Sequence, residues 1–183
     1  MDKVSLAFKL LVLLLWPLVF SCGKPMSTHN TDSSTTMKPT ITNKVFYENI
    51  PSASGIEVID DSIYIIGDDS PYLYQLNRVF KQISKLALAD TAGFKSGRVA
   101  KSEKMDLESM ASYERDGKFY LLILGSGASD ARMKGFVIRA NKASGKLGKP
   151  QVYSLDKLYK QLQDNEEVVK DDQLNIEGLA LEN

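Results

Sequence analysis

Gly55-Ile56-Glu57-Val58-Ile59 is one of three short stretches of this 183-residue chain that nearly repeat one another. The others are Asp106-Leu107-Glu108-Ser109-Met110 and Asn175-Ile176-Glu177-Gly178-Leu179. Each sets one glutamate between apolar residues, as on a half-buried strand. A repeat built around strands predicts a blade-like β architecture. Working outward, residues 56–59, 62–67, 72–76 and 81–88 read as four strands, with Asp60-Asp61 as a tight turn between the first two. The pattern returns at 107–113, 119–124, 135–140 and 151–155, with turns at Arg115-Asp116-Gly117 and around Gly145. Residues 89–105 read as a polar connecting loop.

The spacing is not regular. Glu57 and Glu108 are 51 residues apart, and Glu108 and Glu177 are 69 apart. The longer interval contains residues 156–169, where Leu155, Leu158, Tyr159 and Leu162 fall at helical spacing and Asp156 can serve as a cap. The predicted fold is therefore all-β: a partial β-propeller of two four-stranded blades and the first strand of a third, with one short helical insertion. Propellers have about four to eight blades. The chain is expected to be the N-terminal portion of a longer propeller. The alternatives are two copies that complete one another, and a small β-sandwich. An open blade edge predicts self-association.

Residues 1–21 read as a targeting segment. Lys3 and Lys9 precede an apolar run over residues 10–20 that is too short and too early for a standard membrane span. The run ends in Leu18-Val19-Phe20-Ser21-Cys22, and Cys22 is the only cysteine of the chain. This placement resembles a bacterial lipobox, although Phe20 stands where a small residue is usual. The resemblance implies cleavage before Cys22, its lipidation and a membrane anchor in the cell envelope. Gly23 after the cysteine does not argue for retention at the inner membrane. Residues 22–43 form a tether: nine of the 21 residues from Gly23 to Asn43 are Ser or Thr, too few apolar groups to repay ordering. As a flexible coil it spans about 25 Å. The folded domain is assigned to 44–183.

Composition excludes several functions. Lys+Arg and Asp+Glu are 23 each, which leaves no electrostatic footprint for nucleic acid. The only histidine, His29, lies in the tether, so a Ser-His-Asp triad has no base in the domain. Ser126 sits in Gly-Ser-Gly rather than in a nucleophile elbow. No Cys or His of the folded domain is available for zinc.

With the repeat in view, the chain resembles a bacterial propeller family of largely unassigned function. That family is related to phytase-like esterase propellers and, more distantly, to the gluconolactonase and strictosidine-synthase-like group. The residues carrying the resemblance are Ser54-Gly55-Ile56-Glu57, residues 63–70, Lys104-Met105-Asp106-Leu107-Glu108-Ser109, Leu124-Gly125-Ser126-Gly127 and Asn175-Ile176-Glu177-Gly178-Leu179. In such a fold the first strand of each blade lines the central channel, so Glu57, Glu108 and Glu177 are expected to converge on the axis. Clustered carboxylates raise one another's pKa unless a cation sits among them, and hard divalent ions such as Ca²⁺ take oxygen ligands of this kind. In the gluconolactonase-like relatives a glutamate in a Glu-Gly setting binds a divalent metal. The resemblance therefore makes Glu177 the best-matched metal ligand, since Gly178 follows it, with Glu57 and Glu108 next.

The other reading of the glutamates is structural, as hydrogen-bonding groups between blades. Two loops follow the second strands, Asp68-Asp69-Ser70 and residues 126–130. They are either ordinary turns or anion- or metal-binding loops. Arg132 either lies free on its loop, pairs with a channel carboxylate or anchors an anionic substrate. Two functions follow as expectations. The first is a lipid-anchored, cell-envelope binding or scaffold module with an unknown protein or small-molecule ligand. The second is a divalent-metal-dependent hydrolase of esters, lactones or phosphate esters.

Overall fold

The structure is a computed structural model that describes residues 39–92, 94, 98–170 and 172–182. The targeting segment, Cys22, His29 and most of the tether lie outside the described residues. Contacts divide the chain after Thr42, and the unit from Asn43 to Asn183 is the one that carries the repeat.

Eight strands build that unit. They are β1 Ala53–Ile59, β2 Ser62–Gly67, β3 Tyr72–Asn77, β4 Gln82–Ala87, β5 Leu107–Arg115, β6 Lys118–Gly125, β7 Lys134–Ala140 and β8 Gln151–Ser154. They form two antiparallel four-stranded meanders, β1-β2-β3-β4 and β5-β6-β7-β8. The all-β, propeller-like reading of the sequence therefore holds for two blades. At the β5–β6 turn both Asp116 (φ 51°) and Gly117 (φ 67°) are left-handed, as a two-residue type I′ hairpin requires. The β3–β4 turn is closed by Asn77, whose Oδ1 accepts from the backbone N–H of Val79 and of Lys81.

The main core lies between the two sheets. Ile59, Tyr64, Ile66 and Leu73 from the first blade pack with Met110, Leu121, Ile123, Phe136 and Ile138 from the second. Each fully buried side chain of this size contributes about 1.5–3 kcal/mol by leaving water. Residues on β2 are apolar on both faces, because Ile63 joins a second cluster with Ile50, Tyr74 and Leu76 on the far side of the first blade. Tyr47 and Ile65 pack against that cluster. Polar ties supplement the core. Gln75 is buried, and its Nε2 donates across the blades to the Gly145 carbonyl at 3.0 Å.

Three expectations are corrected. The third-repeat segment, residues 175–182, makes no strand. A strand is defined by a ladder partner, and among the described residues one backbone bond, from Ile176 N–H to the Ser126 carbonyl, ties the segment to the second blade. The helix, α1, is Asp156–Gln163 and stops short of Val169. Asn165 ends it: its Oδ1 accepts from the Glu167 N–H, so the side chain competes with helical bonding. Leu155, not Asp156, is the N-cap, and it makes no side-chain cap bond. Asp156 sits in the first turn, where its charge complements the helix dipole. The helix is held by Tyr159, fully buried, whose hydroxyl donates to the Gly125 carbonyl at 2.7 Å.

Candidate functional site

The two blades superpose by register, and the register defines which residues are equivalent. In the first blade Ala53 pairs with Gly67 and, after a bulge, Gly55 with Ile66. In the second Leu107 pairs with Gly125 and, after a bulge, Ser109 with Leu124. The bulged residues, Ser54 and Glu108, are therefore counterparts. Just before them, Ser52 (φ 45°) and Asp106 (φ 53°) share a left-handed backbone. Their carbonyls accept from equivalent N–H groups, those of Asp68 and Ser126. A bulge re-aims a side chain at the end of a strand, and Glu108 takes this position.

Glu57 lies three residues further along β1 than the counterpart of Glu108. It is half-buried and accepts from the Ser112 hydroxyl at 2.7 Å, a bond between the blades. Glu177 is exposed and accepts from the Asn175 side chain at 2.8 Å. The three glutamates therefore do not occupy one structural position. The structure instead gathers Asp68, Asp106 and Glu108, which bring one carboxylate oxygen each to within 4.8 Å of one another.

A lysine sits among these acids. Lys104 Nζ is 2.6 Å from Asp68 Oδ2, 2.8 Å from Asp106 Oδ1 and 3.2 Å from Asp69 Oδ1, and its side chain is only 16% exposed. Asp106 is the hub. Its Oδ2 accepts from Arg132 Nη1 at 2.8 Å and from the Ser126 hydroxyl at 2.6 Å. Arg98 reaches Asp69 at 3.3 Å. Asp68 Oδ1 is buried with no hydrogen-bond partner among the described residues.

The electrostatics follow from these contacts. Burial works against the charge on Lys104, but its bonds to Asp106, Asp68 and Asp69 outweigh it and hold the ammonium well above the usual lysine range. Burial pushes the Asp106 carboxyl up, yet the bonds from Lys104 and Ser126 and the charges of Lys104 and Arg132 bring it below the carboxylate norm. Glu108 goes the other way. Burial and the neighbouring Asp106 and Asp68 carboxylates raise it, and Lys104 offsets this only in part.

Residues 49–183 match a family model described as a family of unknown function, DUF6929. The chain belongs to that family. No curated protein and no solved structure matches it. The matched span covers both blades and every member of the acidic cluster.

Part of this site was visible in the sequence. Glu108 was singled out by the repeat, and Arg132 does pair with a carboxylate, that of Asp106. Asp68-Asp69 read as a turn or a ligand loop. The sequence assigns Lys104 no role, because its bond to Asp68 spans 36 residues and joins the two blades. The signal available was its own neighbourhood: Lys104-Met105-Asp106 places a cation two residues before the repeat's acidic position.

A pH test follows from Glu108. A carboxyl raised in the fold costs stability while ionised. Protonation recovers that stability as pH falls through the folded value, and the recovery is complete below the unfolded value. Glu108→Gln is therefore expected to raise Tm by a few degrees at neutral pH. The gap to wild type should narrow on acidification through the raised value and be closed below the ordinary glutamate range. Asp106 has the opposite sign, since its contribution is lost only below the ordinary aspartate range. Thermal melts of both proteins across this range check the sign.

Proposed function

We propose that the chain is a lipid-anchored, cell-envelope propeller module that binds a partner rather than catalysing a reaction. The observation that carries this reading is the Lys104 ammonium set among Asp68, Asp69 and Asp106. Those carboxylates already have a cation, supplied by the loop that leads into β5. The arrangement is that of a brace between blades, with Lys104 tying the end of β2 to the start of β5. Cys22 is the anchoring residue of this reading, and the tether that follows it holds the module off the membrane.

One observation favours a second reading, a divalent-metal-dependent hydrolase akin to the phytase-like or gluconolactonase-like propellers. Asp68, Asp106 and Glu108 are hard oxygen donors of the type Ca²⁺ takes, and Asp68 Oδ1 is buried without a partner among the described residues. These three would hold the ion, with Glu177 nearby. When bound, such an ion supplies Lewis-acid polarisation of a carbonyl or phosphoryl oxygen. Lys104 competes for the same oxygens.

Titration of the full-length protein with Ca²⁺, Mg²⁺ and Mn²⁺ under thermal melting separates the two. A ligand that binds only the native state raises Tm with its concentration. The brace reading expects no shift up to millimolar metal. A saturable rise for one ion, lost in Glu108→Gln, would replace it with the hydrolase reading.

A further inference from the structure

The turn between β3 and β4 reads Arg78-Val79-Phe80-Lys81, an apolar pair between two cations. Turns favour Gly, Asn, Asp and Ser, yet here Val79 is 78% and Phe80 44% exposed. The corresponding hairpin turns, Asp60-Asp61, Asp116-Gly117 and Lys142 to Gly145, carry no large apolar side chain. Phe80 also has φ 59°, in the left-handed region. The other non-glycine residues found there, Ser52, Asp60, Asp106 and Asp116, are small and polar. For a bulky side chain this backbone is strained. The ring packs into none of the three apolar clusters of the described residues, so the core does not account for it. Strain of this kind persists where a function uses it. A hairpin tip projects beyond its sheet along the strands, whereas blades are added beside a sheet, around the channel. Neighbouring blades therefore do not cover this tip.

The tether joins the domain beside the tip. Just past its last residue, Asn43, the Tyr47 hydroxyl donates to the Phe80 carbonyl, and Asn49 Nδ2 donates to Gln82 Oε1 at 2.7 Å. Two bonds from the backbone to Asn77 Oδ1 hold the turn in shape. Arg78 is bonded to Asp61 at 2.6 Å, and Lys81 and Lys44 are exposed, with Glu48 the acidic residue of the entering segment. The acidic cluster lies at the other end of the strands, since Asp68 follows β2 and Lys104 and Asp106 precede β5.

We propose that the Val79–Phe80 tip docks on the phospholipid surface to which Cys22 anchors the chain, an inference that rests on the lipid-anchored reading above. The valine and the ring enter the boundary between headgroups and acyl chains. Lys81 and Lys44 lay their apolar stems alongside and hold their ammonium groups at the level of the phosphates. Two apolar side chains are too few to hold a free protein on a bilayer. The tether changes this, because a coil of about 25 Å confines the tip near the surface and makes a weak contact intramolecular. That is what selects the bilayer as the occupant: the tip stands where the anchored chain enters the domain. Docking also fixes orientation, with the Lys104 cluster turned away from the membrane and toward soluble partners.

The test is reconstitution of the full-length protein into vesicles of phosphatidylethanolamine and phosphatidylglycerol, with an environment-sensitive fluorophore on a new cysteine. Val79→Cys puts the probe at the tip. Ser102→Cys puts it on the exposed loop at the other end of the blades. Cys22 is the only native cysteine, and acylation blocks its thiol, so the label goes to the new position. Lipids that carry a spin label at the headgroup are expected to quench the tip probe several-fold more than the loop probe. Adding Phe80→Asn to the tip variant should remove most of that difference without lowering the urea midpoint, because asparagine tolerates a left-handed backbone. Equal quenching at the two positions of the acylated protein overturns the proposal and leaves the tip to a protein partner. A Phe80→Asn protein with a lowered midpoint overturns it too, since the ring would then serve the fold. A wild type that takes the label at Cys22 and lacks acyl mass overturns the anchored reading itself, and with it the bilayer as occupant. Mass and labelling thus separate that failure from a failure of docking.

Discussion

Gly125→Ala is expected to cost about 4–5 kcal/mol or more, the range reached by few single substitutions. A Cβ at this position would lie 2.3 Å from the Arg132 carbonyl oxygen and 2.7 Å from that of Met105. Both obstacles are backbone, so no side-chain rotation relieves them. The loop after β6 and the loop before β5 would both have to move, and they hold the two groups on either side of Asp106. Against a total stability of about 5–15 kcal/mol, this is enough to unfold the second blade in dilute urea. Gly67→Ala should behave alike, since its Cβ would lie 2.3 Å from the Pro51 carbonyl oxygen. Gly117→Ala calibrates the comparison: nothing lies within 4 Å of its Cβ, and only its φ of +67° opposes the substitution. Its cost should be about 1 kcal/mol. Urea midpoints for the three variants check the order. A Gly125→Ala midpoint equal to that of Gly117→Ala would show that the close approach is not there.

Lys104→Met is the second large effect, about 3 kcal/mol of lost stability. Methionine keeps most of the length and the apolar stem but removes the ammonium. Asp68 and Asp69 then face Asp106 with Arg98 and Arg132 as the remaining cations and the Ser52 and Ser126 hydroxyls as neutral donors. The figure reflects uncompensated carboxylates in a site that is mostly shielded from water. Chemical denaturation gives the loss directly, and a double-mutant cycle with Asp68→Asn isolates the coupling across the blades. The variant should also acquire a Ca²⁺-dependent rise in Tm that wild type lacks, because the oxygens lose their built-in cation. A variant as stable as wild type would remove the brace from the fold's account.

Much of the fold could be read from alternation and turn chemistry. Ile63 to Ile66 and Phe119 to Leu124 are apolar enough to be central strands, and Asp116-Gly117 is a hairpin turn on sight. The helix starts where the sequence places it and ends sooner, because the helical spacing stops at Leu162 and the Asn165 side chain takes up the backbone N–H of Glu167 beyond it. The site was less legible. Local motifs matched Glu57 with Glu108, but bulges at Ser54 and Glu108 set the register, and a bulge leaves no mark in the hydrophobic pattern. The cluster itself depends on Asp68, Lys104 and Asp106 meeting across two blades, which no local window contains.

The repeat also carries its own ruler, and it is not the glutamate. Gly67 and Gly125 each lie against carbonyl oxygens of the chain entering their blade, so each marks the same rung of its ladder. Measured from those glycines, the two blades pair Ser52 with Asp106 and Ser54 with Glu108. One blade thus holds the acidic pair and its neighbour holds neutral hydroxyls. The duplicated units have parted in charge while keeping their geometry, so relatives aligned on the glycines will reveal which blade has specialised.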